Sequence, residues 1–240
     1  MVPGLKAGPG NLLEFPNVRH VQRIESMKHV HALVTTAGLT LLLASQAMGQ
    51  SLTRYQAVPN KSKVRIEGTS TIHDWKMEGT IIGGFLEMPE GYSFDSSAPR
   101  VPELKAKPKA EISIPVQSVK SGTKRMDEVM LEHMKQPEFP RITYKLAELA
   151  PKPGNHEPGK PLQFISKGNL TIAGVTKPLE MPVTIEKAGD NQIKVVGTAP
   201  LKMTDFGIKP PAPNIALGLI KVGDDIKISF DWITQVKAAK

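Results

Sequence analysis

Residues 164–185, FISKGNLTIAGVTKPLEMPVTI, decide the fold. In the first arm Phe164, Leu170 and Ile172 share one parity, which Ser166 and Gly168 continue; in the second arm Leu179, Met181, Val183 and Ile185 share a parity of their own, and a Gly-containing turn lies between the arms. Side chains alternate between the two faces of a strand, so each arm turns one apolar row inward and a Lys, Thr and Glu row to water. The pattern predicts a β-hairpin. The same period recurs at Ile112, Ile114 and Val116, at Ile193 and Val195, and at Ile226, Ile228, Phe230 and Trp232. Repeated hairpin-like segments with one polar row predict an antiparallel sheet with one wet face.

Upstream of these strands the chain reads as a leader. Met27, Lys28 and His29 open it, an apolar stretch runs from Ala32 to Ala44, and Ala47-Met48-Gly49 places small residues at minus three and minus one before Gln50. These are the three parts of a secretory signal peptide, and the apolar run is too short to span a bilayer well. Residues 1–26 carry five Gly or Pro in their first ten positions and no clear period, and read as an upstream extension that is not native; an ordered N-terminal arm is the alternative. The mature domain is then 50–240, in the periplasm or outside the cell.

The 240 residues contain no cysteine, so an exported chain must rest on a hydrophobic core, for which roughly 180 residues suffice. The same absence removes the acceptor for a bacterial lipid anchor, so no stable membrane insertion is expected once the leader is gone. Losing the leader takes away four basic and two acidic residues and lowers the formal charge from +8 to about +6. Basic residues are scattered singly or alternate with apolar ones, as in Lys63-Val64-Arg65, and aromatics are few. Nucleic-acid binding instead concentrates charge beside stacking aromatics, so it is not expected.

Residues 50–60 read as a polar lead-in to a strand that begins near Val64 and Ile66. Residues Glu87 to Lys109 contain four prolines with several Ser and Lys, a composition that predicts a mobile insertion between strands. From Gly122 to Gln136 the period changes: Met126, Val129, Met130 and His133 or Met134 recur at spacings of three and four, as on one face of a helix. Ser121 or Thr123 can cap it, and Pro137 stops it. A second proline-bearing loop, Lys209 to Asp224, carries Ile215, Leu217, Leu219 and Ile220.

Ser70, His73 and Asp74 supply the residue types of a hydrolytic triad, but adjacent residues such as His73 and Asp74 diverge on a strand, and no nucleophile elbow accompanies them. The better reading is a tight turn whose polar side chains satisfy backbone groups while Trp75 drops into the interior. The protein is therefore not expected to be an enzyme. Only His73, His133 and His156 remain after the leader, with no ligand-cluster spacing, so no metal or cofactor is expected. Gly223, Asp224 and Asp225 read as a turn before the last strand, with too few oxygens for calcium.

Four segments in order resemble the YceI family of exported lipid-binding proteins: GTSTIHDW at 68–75, VKSGTKRMDEVMLEHMKQPEFPRITY at 119–144, GNLTIAGVTKPLEMPVTI at 168–185 and MTDFGIKPP at 203–211. The resemblance spans roughly residues 58–236. It implies an all-β fold, an extended eight-stranded antiparallel lipocalin-like barrel with one short helix, whose long tunnel holds a polyisoprenoid or other long-chain amphiphile, and an association into homodimers common among such proteins. Met126, Met130, Met134, Met181 and Met203 suit a tunnel lining and a solid core equally well; the resemblance favours the hollow interior. Strand parity then nominates the lining: Ile66, Trp75, Phe85, Ile112, Ile114, Met126, Met130, Phe139, Ile142, Tyr144, Leu170, Ile172, Met181, Val183, Phe206, Ile228 and Phe230. The competing expectation is a filled-core β-sandwich that serves as a protein-interaction module of the envelope.

Overall fold

The computed structural model describes residues 51–212 and 220–236. The leader and the loop residues Ile215, Leu217 and Leu219 lie outside them. Ten strands form a single sheet: β1 Leu52–Ala57, β2 Lys63–Ser70, β3 Trp75–Gly79, β4 Gly83–Pro89, β5 Lys109–Pro115, β6 Arg141–Pro151, β7 Leu162–Ile172, β8 Val175–Gly189, β9 Gln192–Lys202 and β10 Val222–Val236. Among the described residues one α-helix, α1, spans Lys124–His133.

Every pairing between strands is antiparallel, and the sheet closes because β10 pairs with β9 along one edge and with β2 and then β1 along the other. β1 and β2 follow the same neighbour, and β3 and β4 pair with β2 and β1 respectively. Each of these two pairs therefore acts as one long strand broken in the middle, and the ring has eight members. Closure covers the edges of the long strands, and the outer edge of the short β3 is met by one bridge, Glu78 to Lys120. The sandwich alternative does not form.

The decisive hairpin is β7–β8. Ile172 pairs with Val175, so the loop has two residues, and both Ala173 (φ 48°) and Gly174 (φ 80°) are left-handed. Two positive φ values give a turn whose twist matches that of the strands. The inward row of β7 is buried throughout, from Leu162 through Phe164, Ser166, Gly168 and Leu170 to Ile172.

Helix α1 is shorter than the Gly122 to Gln136 range read from its period. Thr123 occupies the N-cap position without a side-chain hydrogen bond. Instead the Asp127 carboxylate reaches back and accepts from the Ser121 N–H at 2.7 Å and hydroxyl at 2.8 Å, a negative charge near the helix N-terminus. At the other end Lys135 is left-handed (φ 49°), Gln136 N–H bonds the Leu131 carbonyl and Lys135 N–H that of Glu132. This is a Schellman stop, completed before Pro137 is reached.

The two ends of the barrel differ. One end, here called the base, is solid: Met88, Leu162, Phe164, Ile185, Ile193, Trp232 and Thr234 are almost fully buried there. The connection between β4 and β5 lies at this end and corrects the expectation of a mobile insertion at Glu87 to Lys109. β4 continues to Pro89, and beyond it Phe94 is 4% exposed, with edge contacts to Tyr55 (5.8 Å) and Tyr92 (5.0 Å). The Tyr92 hydroxyl donates to the Pro102 carbonyl, and the Ser96 carbonyl meets the Gly159 N–H and the His156 ring. Strand β1 also replaces the expected lead-in at 50–60; its inward positions include only one large residue, Tyr55, which left little period to read. β10 begins at Val222, so Gly223, Asp224 and Asp225 sit in an irregular stretch of strand, not in a turn ahead of it.

A candidate ligand cavity at the open end of the barrel

The opposite end of the barrel is hollow. A cavity of about 410 Å³ lies between the barrel wall, helix α1, the β2–β3 connection and the segment after β9. Ile66, Met77, Ile142, Ile172, Ile226 and Ile228 form its wall; Met126, Val129 and Met130 come from α1 and Met134 from its C-cap; Met203, Phe206 and Ile208 come from the segment after β9. Well-packed interiors contain few voids larger than a water molecule, so a space of this size is not a packing defect. It falls within the usual range for ligand pockets. A second void of about 70 Å³ lies toward the base, shares Ile66, Ile142 and Ile228 with the first, and is also lined by Ile112, Ile114, Tyr144, Leu170, Met181, Phe230 and Trp232.

Local chemistry explains how these walls are held. A short 3-10 turn, Thr204–Phe206, swings Phe206 into the interior. The Asp224 carboxylate anchors it, accepting from the Thr204 hydroxyl at 2.7 Å and the Thr204 N–H at 2.9 Å, bonds that hold Asp224 below the usual carboxylate range. Burial pushes the carboxyl of Asp127 up, but the bonds from Ser121 outweigh it, and the group ends lower than usual. Three inward glycines take the aromatic rings. A Cβ on Gly68 would sit 2.3 Å from the Trp75 ring, on Gly197 2.6 Å from Phe230, and on Gly168 2.5 Å from Tyr144. Each ring thus lies flat against the sheet where a side chain would otherwise stand, and the bore stays free. The polar ends are satisfied as well: Trp75 Nε1 donates to the Thr69 carbonyl, and the Tyr144 hydroxyl is hydrogen-bonded to Ser166 Oγ.

Polar groups are confined to the mouth, where Ser70, His73, Thr123, Arg125 and His133 join the lining beside Ile72, which is 61% exposed. Ser70 does not face an imidazole. Its hydroxyl donates to the His73 carbonyl at 2.7 Å and accepts from the N–H groups of Ile72 and His73, while His73 Nδ1 lies 2.9 Å from the Asp74 carbonyl oxygen. The segment is the tight turn that its composition suggested, with Trp75 in the cavity wall. Among the described residues no three His, Asp or Glu side chains converge as a metal site would require.

Of the nominated lining residues, Ile66, Trp75, Met126, Met130, Ile142, Ile172, Phe206 and Ile228 face the large cavity; Ile112, Ile114, Tyr144, Leu170, Met181 and Phe230 face the small one. Three do not. Phe85 lies on the outer face, with the Arg54 guanidinium 3.5 Å above its ring, because Leu86 and Met88 carry the inward parity of β4. Phe139 covers the hairpin turn at Gly174. Val183 is buried against Gly197, away from both voids. The reading missed Met77 and Ile208, among others, and singled out Met203 only as a methionine fit for lining or core alike. Ile208 and Met203 flank Phe206 in a segment without a strand period, whereas Val129 and Met134 were already marked by the helical one. The expected tunnel is also shorter than its name implies, since the solid base ends it.

Comparisons with known proteins agree with this architecture. The profile of the YceI-like domain family matches residues 55–233. UPF0312 proteins of Pseudomonas aeruginosa strains LESB58 and UCBPP-PA14 are each 25% identical over 183 residues, covering 70% of this chain and 86% of theirs. Among solved structures, Burkholderia cenocepacia BcnA superposes with a TM-score of 0.56 at 19% identity, covering 74% of this chain and 98% of that one. A polyisoprenoid binding domain from Saccharophagus degradans implicated in plant cell wall breakdown gives 0.57 at 12% identity, covering 78% and 100%. At these identities the structural likeness is one of fold.

Proposed function

Because the chain belongs to the YceI-like domain family, we propose that it is an exported carrier that holds the apolar tail of a polyisoprenoid, or of a comparable long-chain amphiphile, inside the open end of its barrel. The observation that carries this reading is the 410 Å³ cavity, whose lining is apolar except at its mouth. The description of the Saccharophagus domain as polyisoprenoid-binding supports it. The tail enters between α1 and the β2–β3 turn, and the polar head stays among Ser70, His73, Thr123, Arg125 and His133. No catalytic group is needed. Burying one methylene contributes about 0.8 kcal/mol, and an isoprene unit a few, whereas one Lys or Arg near an anionic head contributes on the order of 1 kcal/mol. Tail burial therefore dominates affinity, until ordering and association costs limit it.

Five methionines line the large cavity and a sixth the small one. Their flexible thioethers let the wall follow a floppy chain. Export to the periplasm or beyond is part of the same proposal, supported by the leader pattern at 27–49. Organic extraction of the purified full-length protein, followed by mass spectrometry, tests the reading. A stoichiometric amphiphile is expected from the native protein and none from Ile172→Asp or Met181→Asp, since either places a carboxylate in an apolar wall. A folded native protein that releases nothing and takes up no added prenol would refute the carrier.

A further inference from the structure

The cavity has a floor, and the floor sets a length. Below Ile66, Ile142 and Ile228 lies the 70 Å³ void. Beneath it Phe164, Ile185, Ile193 and Trp232 close the bore, each no more than 2% exposed. Phe94 from the β4–β5 connection, with its Tyr55 and Tyr92 neighbours, adds aromatic packing at that end of the barrel. The floor residues stand on strands paired on both edges, so no single hinge opens a passage through them. An apolar cavity of about 150 Å³ holds one benzene ring, or roughly 25 Å³ per carbon. On that scale 410 Å³ takes roughly 16 carbons, and the smaller void about three more.

Resting on the tail-binding reading above, we propose that the site is cut for a single apolar tail of three to four isoprene units, or an acyl chain of similar carbon number, and that any longer tail leaves its surplus outside the mouth. Chain length is then read by the floor and head chemistry by the mouth, so the two are separable. The small void is the part of the measure that distinguishes the fourth unit from the third. Ala199 lines that void and is 4% exposed, so its side chain is where the last few carbons come to rest.

Displacement of 1-anilinonaphthalene-8-sulfonate from the full chain by geraniol, farnesol, geranylgeraniol and solanesol, prenols of two, three, four and nine units, tests the proposal. Affinity should rise by at least about tenfold per unit up to the third or fourth. Solanesol should then bind within a few-fold of geranylgeraniol. Solanesol binding tenfold or more tighter would overturn the length limit and leave tail binding standing. If none of the four displaces the dye, tail binding itself falls, and the limit with it. Trp232→Ala should extend the rise to longer prenols, although that variant removes a large core ring. Ala199→Leu supplies the second arm by filling the small void. It should lower the ratio of geranylgeraniol to farnesol affinity by about tenfold, and an unchanged ratio would count against the floor as the measuring element.

Discussion

Gly68 makes room for Trp75 in the wall of the large cavity, and the rest of the bore depends on the same device at Gly168 and Gly197. Adding one methyl at Gly68 drives the indole off the sheet and toward the space a tail would occupy. Gly68→Ala is expected to cost about 1–3 kcal/mol of stability through overpacking and to weaken prenol binding about tenfold, read by urea denaturation and dye displacement on the same sample. Unchanged affinity in a destabilised protein would mean that the ring has another place to go. Ser70 behaves differently. Its hydroxyl serves the turn, so Ser70→Ala is expected to lower stability by about 1 kcal/mol with tail binding retained, and loss of an esterase activity in that variant would contradict its placement. At this scale strand parity was legible wherever both neighbours of an apolar residue were polar. It failed at Phe85, because the largest residue of β4 is the outward one, stacked under Arg54, and nothing in its immediate sequence marks that.

Helix α1 and the turn at 204–206 are two parts of the cavity wall anchored at one point each by a carboxylate. Asp127 secures the start of the first through Ser121, and Asp224 secures the second through Thr204. Both carboxyls lie below their usual value in the folded protein. A depressed carboxylate stabilises the fold at pH above the unfolded value of about 4, and that contribution is lost as pH falls through the folded value. Prenol affinity is therefore expected to be flat from neutrality to about pH 5 and to fall in more acidic solution. Asp224→Asn should weaken affinity at neutral pH and shrink the acid-dependent part of the loss. A pH profile identical to that of the native protein would show that the anchor does not govern the mouth. At the base, Phe94→Ala is expected to cost about 3–5 kcal/mol in chemical denaturation, a loss that a mobile loop would not show. The helix was legible because its methionines repeat at three and four. The connection at 90–108 was not, because its Pro, Ser and Lys content masks the two aromatic residues, Tyr92 and Phe94, that pack it down.

The barrel, as far as it is described, divides its apolar residues between two tasks. Those at the base fill the barrel and stabilise it, while those at the mouth line a space they do not fill. Alternation along the strands identifies inward-facing residues at both ends alike, which is why eleven nominated strand positions line a void and why Val183 does not; Met126, Met130 and Phe206 also line one but stand outside the strands. Period 2 carries direction only. Whether facing side chains meet across the bore depends on strand stagger and on what covers the end, and these are properties of closure. The family resemblance supplied the hollow interior, and the floor came only with the structure.

Methionine methyl groups report on this division directly. In the described barrel Met77, Met126, Met130, Met134 and Met203 line the large cavity and Met181 the small void, while Met88 is fully buried in the base. With carbon-13-labelled methionine methyls, titration with farnesol is predicted to shift the cavity methyls and leave Met88 in place. Cavity methyls that stay fixed at saturating farnesol, or a response confined to Met88, would contradict a tail held in the open end of the barrel.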